Sequence, residues 1–249
     1  MSIYILTHKQ FDAPKIKDYV PIHVGAAGKN DDFGYIKDST GDNISLKNPN
    51  YCELTGIYWV WKNTHDDING FVHYRRYFKY RGEYLPIESA EELLKTYDII
   101  VPKKVPCKES MYDQFLYCGT HDALNLMREI VQEKYPDYLP DYDTFFAGNK
   151  AYFLNMMVCK RNLMCDYCSW LFDILGEVEN RLDMTGYTDY QKRVYGFLSE
   201  RLLNIYIMHN KLRVKEMSVE MTEQSFKDKV KFSCISLKNR VSFALHSGH

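Results

Sequence analysis

Short apolar runs alternate along the chain with longer segments whose apolar residues recur at helical spacing. The apolar runs predict strands at residues 3–6, 19–24, 68–72, 97–102 and 151–159. Strands that alternate with helices are typical of an α/β protein with a mostly parallel central sheet. We therefore predict this fold class, with a main domain at residues 1–215 and a C-terminal extension at residues 216–249.

The helical segments carry one apolar face each. Helices are predicted at residues 51–63, 89–95, 111–117, 121–133, 163–178 and 191–210. Asn50 and Glu53 have the spacing of a capping box, in which the Glu53 carboxylate reaches back to the Asn50 amide. This pattern predicts a structural role for Glu53 and not a catalytic one.

The segment 70–78 changes within a few residues from apolar to basic and aromatic. A buried strand is followed at once by His73, Arg75 and Arg76, which are interleaved with aromatic residues. Two fixed cations at the end of a buried strand are costly unless they meet an anion. Because open α/β sheets bind ligands at the carboxyl ends of their strands, we predict a pocket for a phosphorylated ligand. The alternative is an internal ion-pair network with the chain's own carboxylates.

The loops that follow the first two predicted strands are polar and contain small residues. Thr7 and His8 follow the first strand, and Gly25 and Ala26 follow the second. Many nucleotide-binding α/β domains begin in this way, since glycine lets the backbone approach a base or phosphate. We predict that these four residues contact a nucleotide.

Glu200 lies on a polar stripe of the predicted helix 191–210, together with Gly196 and Asn204 at intervals of four residues. A carboxylate in this position could be the base that activates a hydroxyl group. The alternative is a surface glutamate paired with Arg193 or Arg201.

Composition and charge limit the partners and the cellular location that the protein is expected to have. The 249 residues carry a formal net charge of −1, so no global field attracts nucleic acid. Seven scattered cysteines, no signal peptide and no long apolar run predict a cytoplasmic protein. In the C-terminal extension, basic residues alternate with apolar ones, which leaves two alternatives open: peripheral contact with the inner face of a membrane, or a packed terminal element.

Taken together, the motifs resemble a family of bacterial glycosyltransferases of capsular and exopolysaccharide loci, long described as a domain of unknown function. The resemblance covers about residues 1–215 and rests on the following segments: 3–9, 24–25, 50–63, 70–78, 98–102 and 196–201. It implies a variant of the GT-A nucleotide-sugar fold and transfer of a sugar from a nucleoside diphosphate donor.

The resemblance further implies a UDP-sugar donor, with UDP-galactofuranose as one candidate, because some relatives are assigned as galactofuranosyltransferases. The acceptor would be a growing glycan, free or linked to a polyprenyl carrier. A sugar nucleotidyltransferase and a non-catalytic carbohydrate- or phosphate-binding module are the alternative functions.

GT-A enzymes ordinarily carry an Asp-x-Asp metal site after a central strand, and no such motif follows residues 68–72 here. We therefore expect Arg75 and Arg76, with His73, to stabilise the leaving diphosphate without a metal ion. No cofactor is predicted. The paired carboxylates Asp31-Asp32 and Asp66-Asp67 leave a divalent ion open as the alternative.

Overall fold

One large sheet organises residues 1–222, the part of the chain that the computed structural model describes. Its strands are β1 (Ser2–Thr7), β2 (Tyr19–His23), β3 (Ile36–Lys37), β4 (Ile68–His73), β5 (Arg76–Tyr80), β6 (Glu83–Tyr84), β7 (Ile99–Pro102), β10 (Met157–Lys160), β11 (Val214–Met217) and β12 (Val219–Met221). Strands β8 (Val105–Pro106) and β9 (Lys150–Ala151) form a separate two-stranded ribbon. The helices are α1 (Asn48–Tyr51), α2 (Leu54–Asn63), α3 (Ile87–Leu93), α4 (Met111–Phe115), α5 (His121–Lys134), α6 (Leu139–Ala147), α7 (Arg161–Arg181) and α8 (Val194–His209).

The main path of the sheet runs in the order β11-β7-β10-β4-β1-β2-β3. β1 is parallel to both of its neighbours, β2 and β4, whereas β10 runs antiparallel between β4 and β7. The prediction of an α/β fold with a mostly parallel sheet is therefore confirmed. Because the chain leaves β1 to one side and returns on the other, the carboxyl end of β1 is a topological switch point, where open α/β sheets bind their ligands.

Both faces of the sheet are covered. On β1, Tyr4 and Leu6 pack into a core with helices α5, α7 and α8, while Ile3 and Ile5 pack on the opposite face against β5 and α3. Successive side chains of a strand point to opposite faces, so burial on both sides requires the continuous apolar run seen in β1. Within the described residues, no helix is both long enough and apolar enough to cross a bilayer.

Three predicted boundaries differ from the structure. The limit at residues 215/216 falls inside β11, and β12 pairs with β5, so the chain up to Met221 belongs to the sheet. The predicted strand 151–159 is interrupted between β9 and β10, and α6 lies between the predicted helix 121–133 and that strand, where no helix was predicted. Residues 223–249, which carry the predicted membrane contact, lie outside the described part of the chain.

Two glycines allow a direct test of the packing. A Cβ atom on Gly70, in β4, would lie 2.8 Å from Ile3 Cγ1 and 3.1 Å from Val158 Cγ2. Gly70→Ala should therefore lower the free energy of unfolding by about 1–3 kcal/mol. A Cβ atom on Gly176, within α7, meets nothing within 4 Å. Gly176→Ala should therefore raise the free energy of unfolding by up to about 1 kcal/mol. Urea denaturation measures both, and a Gly70→Ala protein as stable as the wild type would contradict this packing.

Candidate active site

The basic segment forms the hairpin between β4 and β5. His73 pairs with Arg76, and the two residues between them make the turn. The turn is held from within, since the Tyr77 hydroxyl donates to the Tyr74 carbonyl oxygen at 3.1 Å and the Arg75 guanidinium lies 4.7 Å from the centre of the Tyr74 ring. Both arginines are half-buried at the carboxyl end of β4, where the phosphate pocket was predicted.

Arg76 lies among charges of both signs. Burial lowers its pKa, and the positive charge of Arg75 lowers it further, whereas Glu53 and Glu200 act in the opposite direction. Glu53 and Glu200 thus lie near enough to act on the charge of Arg76. Both sequence-based interpretations of Arg75 and Arg76, the phosphate pocket and the internal ion-pair network, stay predictions.

Cations from four separate segments surround His8. Partial burial has the largest effect on the pKa of His8 and lowers it. The positive charges of four residues lower this pKa further: Lys29, Lys9, Arg75 and Arg193. These residues follow β2, β1 and β4 and precede α8, respectively. The carboxyl ends of the three parallel strands thus share one positive field, which raises the local concentration of anions.

The loops after β1 and β2 are ordered by their own hydrogen bonds. The Thr7 hydroxyl donates to the Lys9 carbonyl oxygen at 2.6 Å. The backbone amides of Gly25 and Ala26 donate to the two carboxylate oxygens of the buried Asp38, at 2.8 and 3.0 Å. Gly25 has a φ of +66° and lies against the Asn48 side chain, so a glycine is required here by the turn and by close packing. The structure thus places both amides on an internal carboxylate, beside the predicted nucleotide pocket.

Glu200 is half-buried and is held at both carboxylate oxygens. Oε1 accepts from the Leu154 amide at 2.9 Å, and Oε2 accepts from Arg201 Nη1 at 2.8 Å. Burial raises the pKa of Glu200, while Arg201 has the largest opposing effect. The pairing with Arg201 that the sequence left open is present. The pair is only partly exposed to solvent, since the Arg201 side chain is 2% exposed and that of Glu200 is 17% exposed.

The polar stripe of α8 holds the segment 152–155 in place. Asn204 binds both backbone groups of Tyr152, accepting from the amide at 2.8 Å and donating to the carbonyl oxygen at 2.9 Å. Leu154 and Asn155 have φ values of +85° and +48°, a conformation that costs free energy in residues other than glycine. The Leu154 carbonyl oxygen accepts from His73 Nε2 at 2.6 Å, which joins this segment to the end of β4.

His73 is therefore a structural link as well as a residue of the basic segment. Burial lowers its pKa, so the neutral imidazole with its proton on Nε2 is the form that fits the hydrogen bond to Leu154. The positive charge at the hairpin is carried by Arg75 and Arg76.

The predicted capping box at residues 50–53 is wrong. Cys52, with φ of 52° and ψ of −131°, breaks the chain into α1 and α2, and Glu53 precedes α2 without capping it through its side chain. The Glu53 carboxylate instead accepts from Asn155 Nδ2 at 2.8 Å. Glu53 thus joins the site, although a structural role alone was predicted for it.

Two further residues of this site, Lys29 and Asn155, were not predicted, and Arg193 was considered only as a possible partner of Glu200. Asn155 interrupts an apolar run, which was the one visible sign that its segment is not a simple strand. Lys29 and Arg193 lie far from the basic hairpin in sequence, and only the tertiary fold brings them near it: Lys29 follows β2 and Arg193 precedes α8.

Metal-ligating side chains do not gather at this position. Within residues 1–222, no group of three or more His, Cys, Asp or Glu residues is arranged to hold a metal ion. Asp66, one of the carboxylates considered for a divalent ion, accepts from the N-terminal amine at 2.8 Å and from the Tyr4 hydroxyl at 2.7 Å.

Comparison with known proteins identifies the family to which the chain belongs. Residues 2–211 match a family described as a domain of unknown function, DUF4422, and the chain belongs to that family. The fold is similar to a solved structure named the WbbM bifunctional glycosyltransferase, in its apo form, with a TM-score of 0.81 and 32% sequence identity. The match covers 90% of this chain and 45% of that one, so the chain spans less than half the length of WbbM. No curated protein sequence matches the chain. The predicted resemblance to a glycosyltransferase family with a GT-A-like fold is thus confirmed.

Proposed function

We propose that this chain is a glycosyltransferase that moves a sugar from a nucleoside diphosphate donor to a glycan acceptor. The observation that carries the proposal is that fixed cations and a half-buried carboxylate, hydrogen-bonded at both oxygens, lie together at the switch point of a GT-A-like sheet. The cations suit a diphosphate, and the carboxylate suits a hydroxyl group that must lose its proton. Similarity to a glycosyltransferase supports this class of reaction.

The donor diphosphate is assigned to Arg75 and Arg76, with Lys9 and Lys29 contributing to the same positive field. Arginine presents a planar fork that matches two phosphate oxygens at once, so it stabilises the negative charge that develops on the leaving group. His73 fixes the hairpin, and Thr7 and His8 line the nucleotide side. Gly25 and Ala26 shape that side through Asp38.

Glu200 is assigned as the base that accepts the proton of the acceptor hydroxyl in an inverting transfer. Its carboxylate is oriented by the Leu154 amide and Arg201, and each oxygen retains a further lone pair for a substrate hydroxyl. Burial raises its pKa, which moves its proton affinity toward that of an effective base at neutral pH.

The family resemblance supports a finer version of the proposal. The donor is then a UDP-sugar, with UDP-galactofuranose as the first to test, and the acceptor is a growing capsular or exopolysaccharide glycan. Such a reaction takes place in the cytoplasm, where nucleotide sugars are made, and a polyprenyl-linked acceptor would bring the enzyme to the inner face of the membrane.

The first prediction concerns binding without metal. UDP should raise the melting temperature in the presence of EDTA, because the cations provide the charge that a metal ion would otherwise supply. A hundredfold excess over the dissociation constant corresponds to about 2.7 kcal/mol of stabilisation. Uridine, which lacks the phosphates, is the control. Loss of the shift in EDTA and its return with manganese would show that the arginines do not replace a metal ion.

A second prediction separates the shape of the guanidinium from its charge. Arg76→Lys should reduce turnover by about 10²-fold, because lysine keeps the charge but cannot bind two oxygens in one plane. The free energy of unfolding should change little. Arg81→Lys, at the exposed turn after β5, is the matched control. Steady-state transfer assays measure the effect, and full turnover in both Arg75→Lys and Arg76→Lys would contradict the assignment.

The third prediction concerns the base. Glu200→Gln keeps the size of the side chain and an acceptor for the Leu154 amide, but it removes the proton acceptor. Turnover should fall by about 10²–10⁴-fold while donor affinity stays nearly unchanged. Glu179→Gln, which removes a glutamate paired with Lys47 elsewhere, controls for the loss of one charge. Turnover close to that of the wild type would overturn the assignment, and an equal loss of donor affinity would place Glu200 in the donor pocket.

A further inference from the structure

The backbone directly before Glu53 has an unfavourable conformation, and this conformation sets the position of Glu53. The left-handed φ of Cys52 ends α1 and starts a new direction one residue before Glu53. Gly196 permits this turn to lie against α8, since a Cβ atom there would be 3.3 Å from both Cys52 Cβ and Cys52 Sγ. Because Glu53 makes no side-chain capping bond, its position is not explained by the stability of α2.

The Glu53 carboxylate is also oriented by a buried partner. Asn155 is 4% exposed and donates to Glu53 Oε1 at 2.8 Å. The Asn155 amide is itself fixed, because Ser199 Oγ donates to its oxygen at 3.0 Å and its nitrogen donates to the Gly196 carbonyl oxygen at 3.2 Å. A carboxylate offers about four lone-pair positions, and this bond uses one of them. Glu53 is half-buried, so part of its side chain remains accessible to solvent.

The charge of Glu53 separates the pocket into two parts. It acts on His73 and Arg76 at the hairpin, on Arg193 at the start of α8, and on Glu200. A diphosphate cannot lie against a carboxylate without repulsion, whereas a neutral hydroxyl group donates to it readily. The part of the donor nearest to Glu53 is therefore the sugar. The diphosphate lies on the side of Arg75, Lys9 and Lys29, with Arg76, on which both Arg75 and Glu53 act, between the two parts.

From this arrangement we propose that Glu53 binds the transferred sugar, accepting a hydrogen bond from one of its hydroxyl groups. The inference rests on the proposed function and adds a residue that discriminates a nucleotide sugar from the nucleotide alone. Asn155 is the positioning residue for this contact, because it holds the carboxylate through a bond that the ligand does not share.

The test compares two ligands on one variant. Glu53→Gln keeps the acceptor for Asn155 but weakens the acceptor for a sugar hydroxyl. Its affinity for UDP should be equal to or higher than that of the wild type, since a negative charge has been removed. Its affinity for the UDP-sugar that the wild type binds best, from UDP-galactose and UDP-galactofuranose, should fall by about tenfold or more. Isothermal titration of both ligands gives the ratio.

Controls separate this role from a structural one. Glu91→Gln, at an exposed position of α3, should change neither affinity. Glu200→Gln should lower turnover while leaving the ratio of the two affinities unchanged. Glu53→Asp keeps the charge but shortens the side chain, so it should lower the UDP-sugar affinity without raising that for UDP. This second variant keeps the test valid if Glu53→Gln folds poorly.

Two results would overturn the proposal. Equal changes in the affinities for UDP and UDP-sugar would make Glu53 a partner of the arginines only, and no change in either would remove it from the pocket. A wild-type protein that binds neither ligand would instead refute the proposed function, and this inference with it, so the two failures are distinguishable.

Discussion

The ion pair between Glu200 and Arg201 is the interaction on which the rest of the site depends. Arg201 is enclosed between the rings of Phe115 and Phe153, each 5.3 Å from its guanidinium carbon, and donates to Gln114 as well as to Glu200. Removing two charges from water is costly, and such a pair is retained only when further hydrogen bonds satisfy it. Here those bonds connect α8, α4 and the segment 152–155 into one rigid unit.

That unit explains how a strained segment can persist beside the pocket. Left-handed backbone at two successive residues other than glycine costs of order 1–3 kcal/mol for each. The cost is offset because side chains from α8 and β4 satisfy the polar groups of the segment, through Asn204, Glu200 and His73. A polar network of this kind is rigid, and in the proposed reaction this rigidity orients Glu53 and Glu200 toward a common substrate.

Sequence patterns predicted the parts of the molecule that local physics determines. The apolar run of β1 and the helical spacing of α7 and α8 required no knowledge of their neighbours, and Arg75 and Arg76 were recognised because charge at a strand end is unusual. The turn of the hairpin between β4 and β5 contains no glycine, proline or asparagine. The local sequence therefore gave no signal from which this turn could be predicted. The capping motif at residues 50–53 was misleading because the positive φ of Cys52, which abolishes the cap, is stabilised by packing against Gly196, more than 140 positions away in sequence.

The mixed charge of the pocket has a consequence for the proposed reaction. A pocket made only of cations would bind the diphosphate product as tightly as the donor, and binding that is uniform along the reaction does not accelerate it. When the bond to the sugar breaks, negative charge grows on the diphosphate while positive charge grows on the sugar ring, as in other glycosyl transfers through an oxocarbenium-like transition state. In the proposed assignment, Arg75 and Arg76 stabilise the first charge, and Glu53 lies on the side of the second. Both interactions would strengthen as the charges separate, so the Glu53 carboxylate, which is proposed to weaken binding of the product, would also favour the transition state.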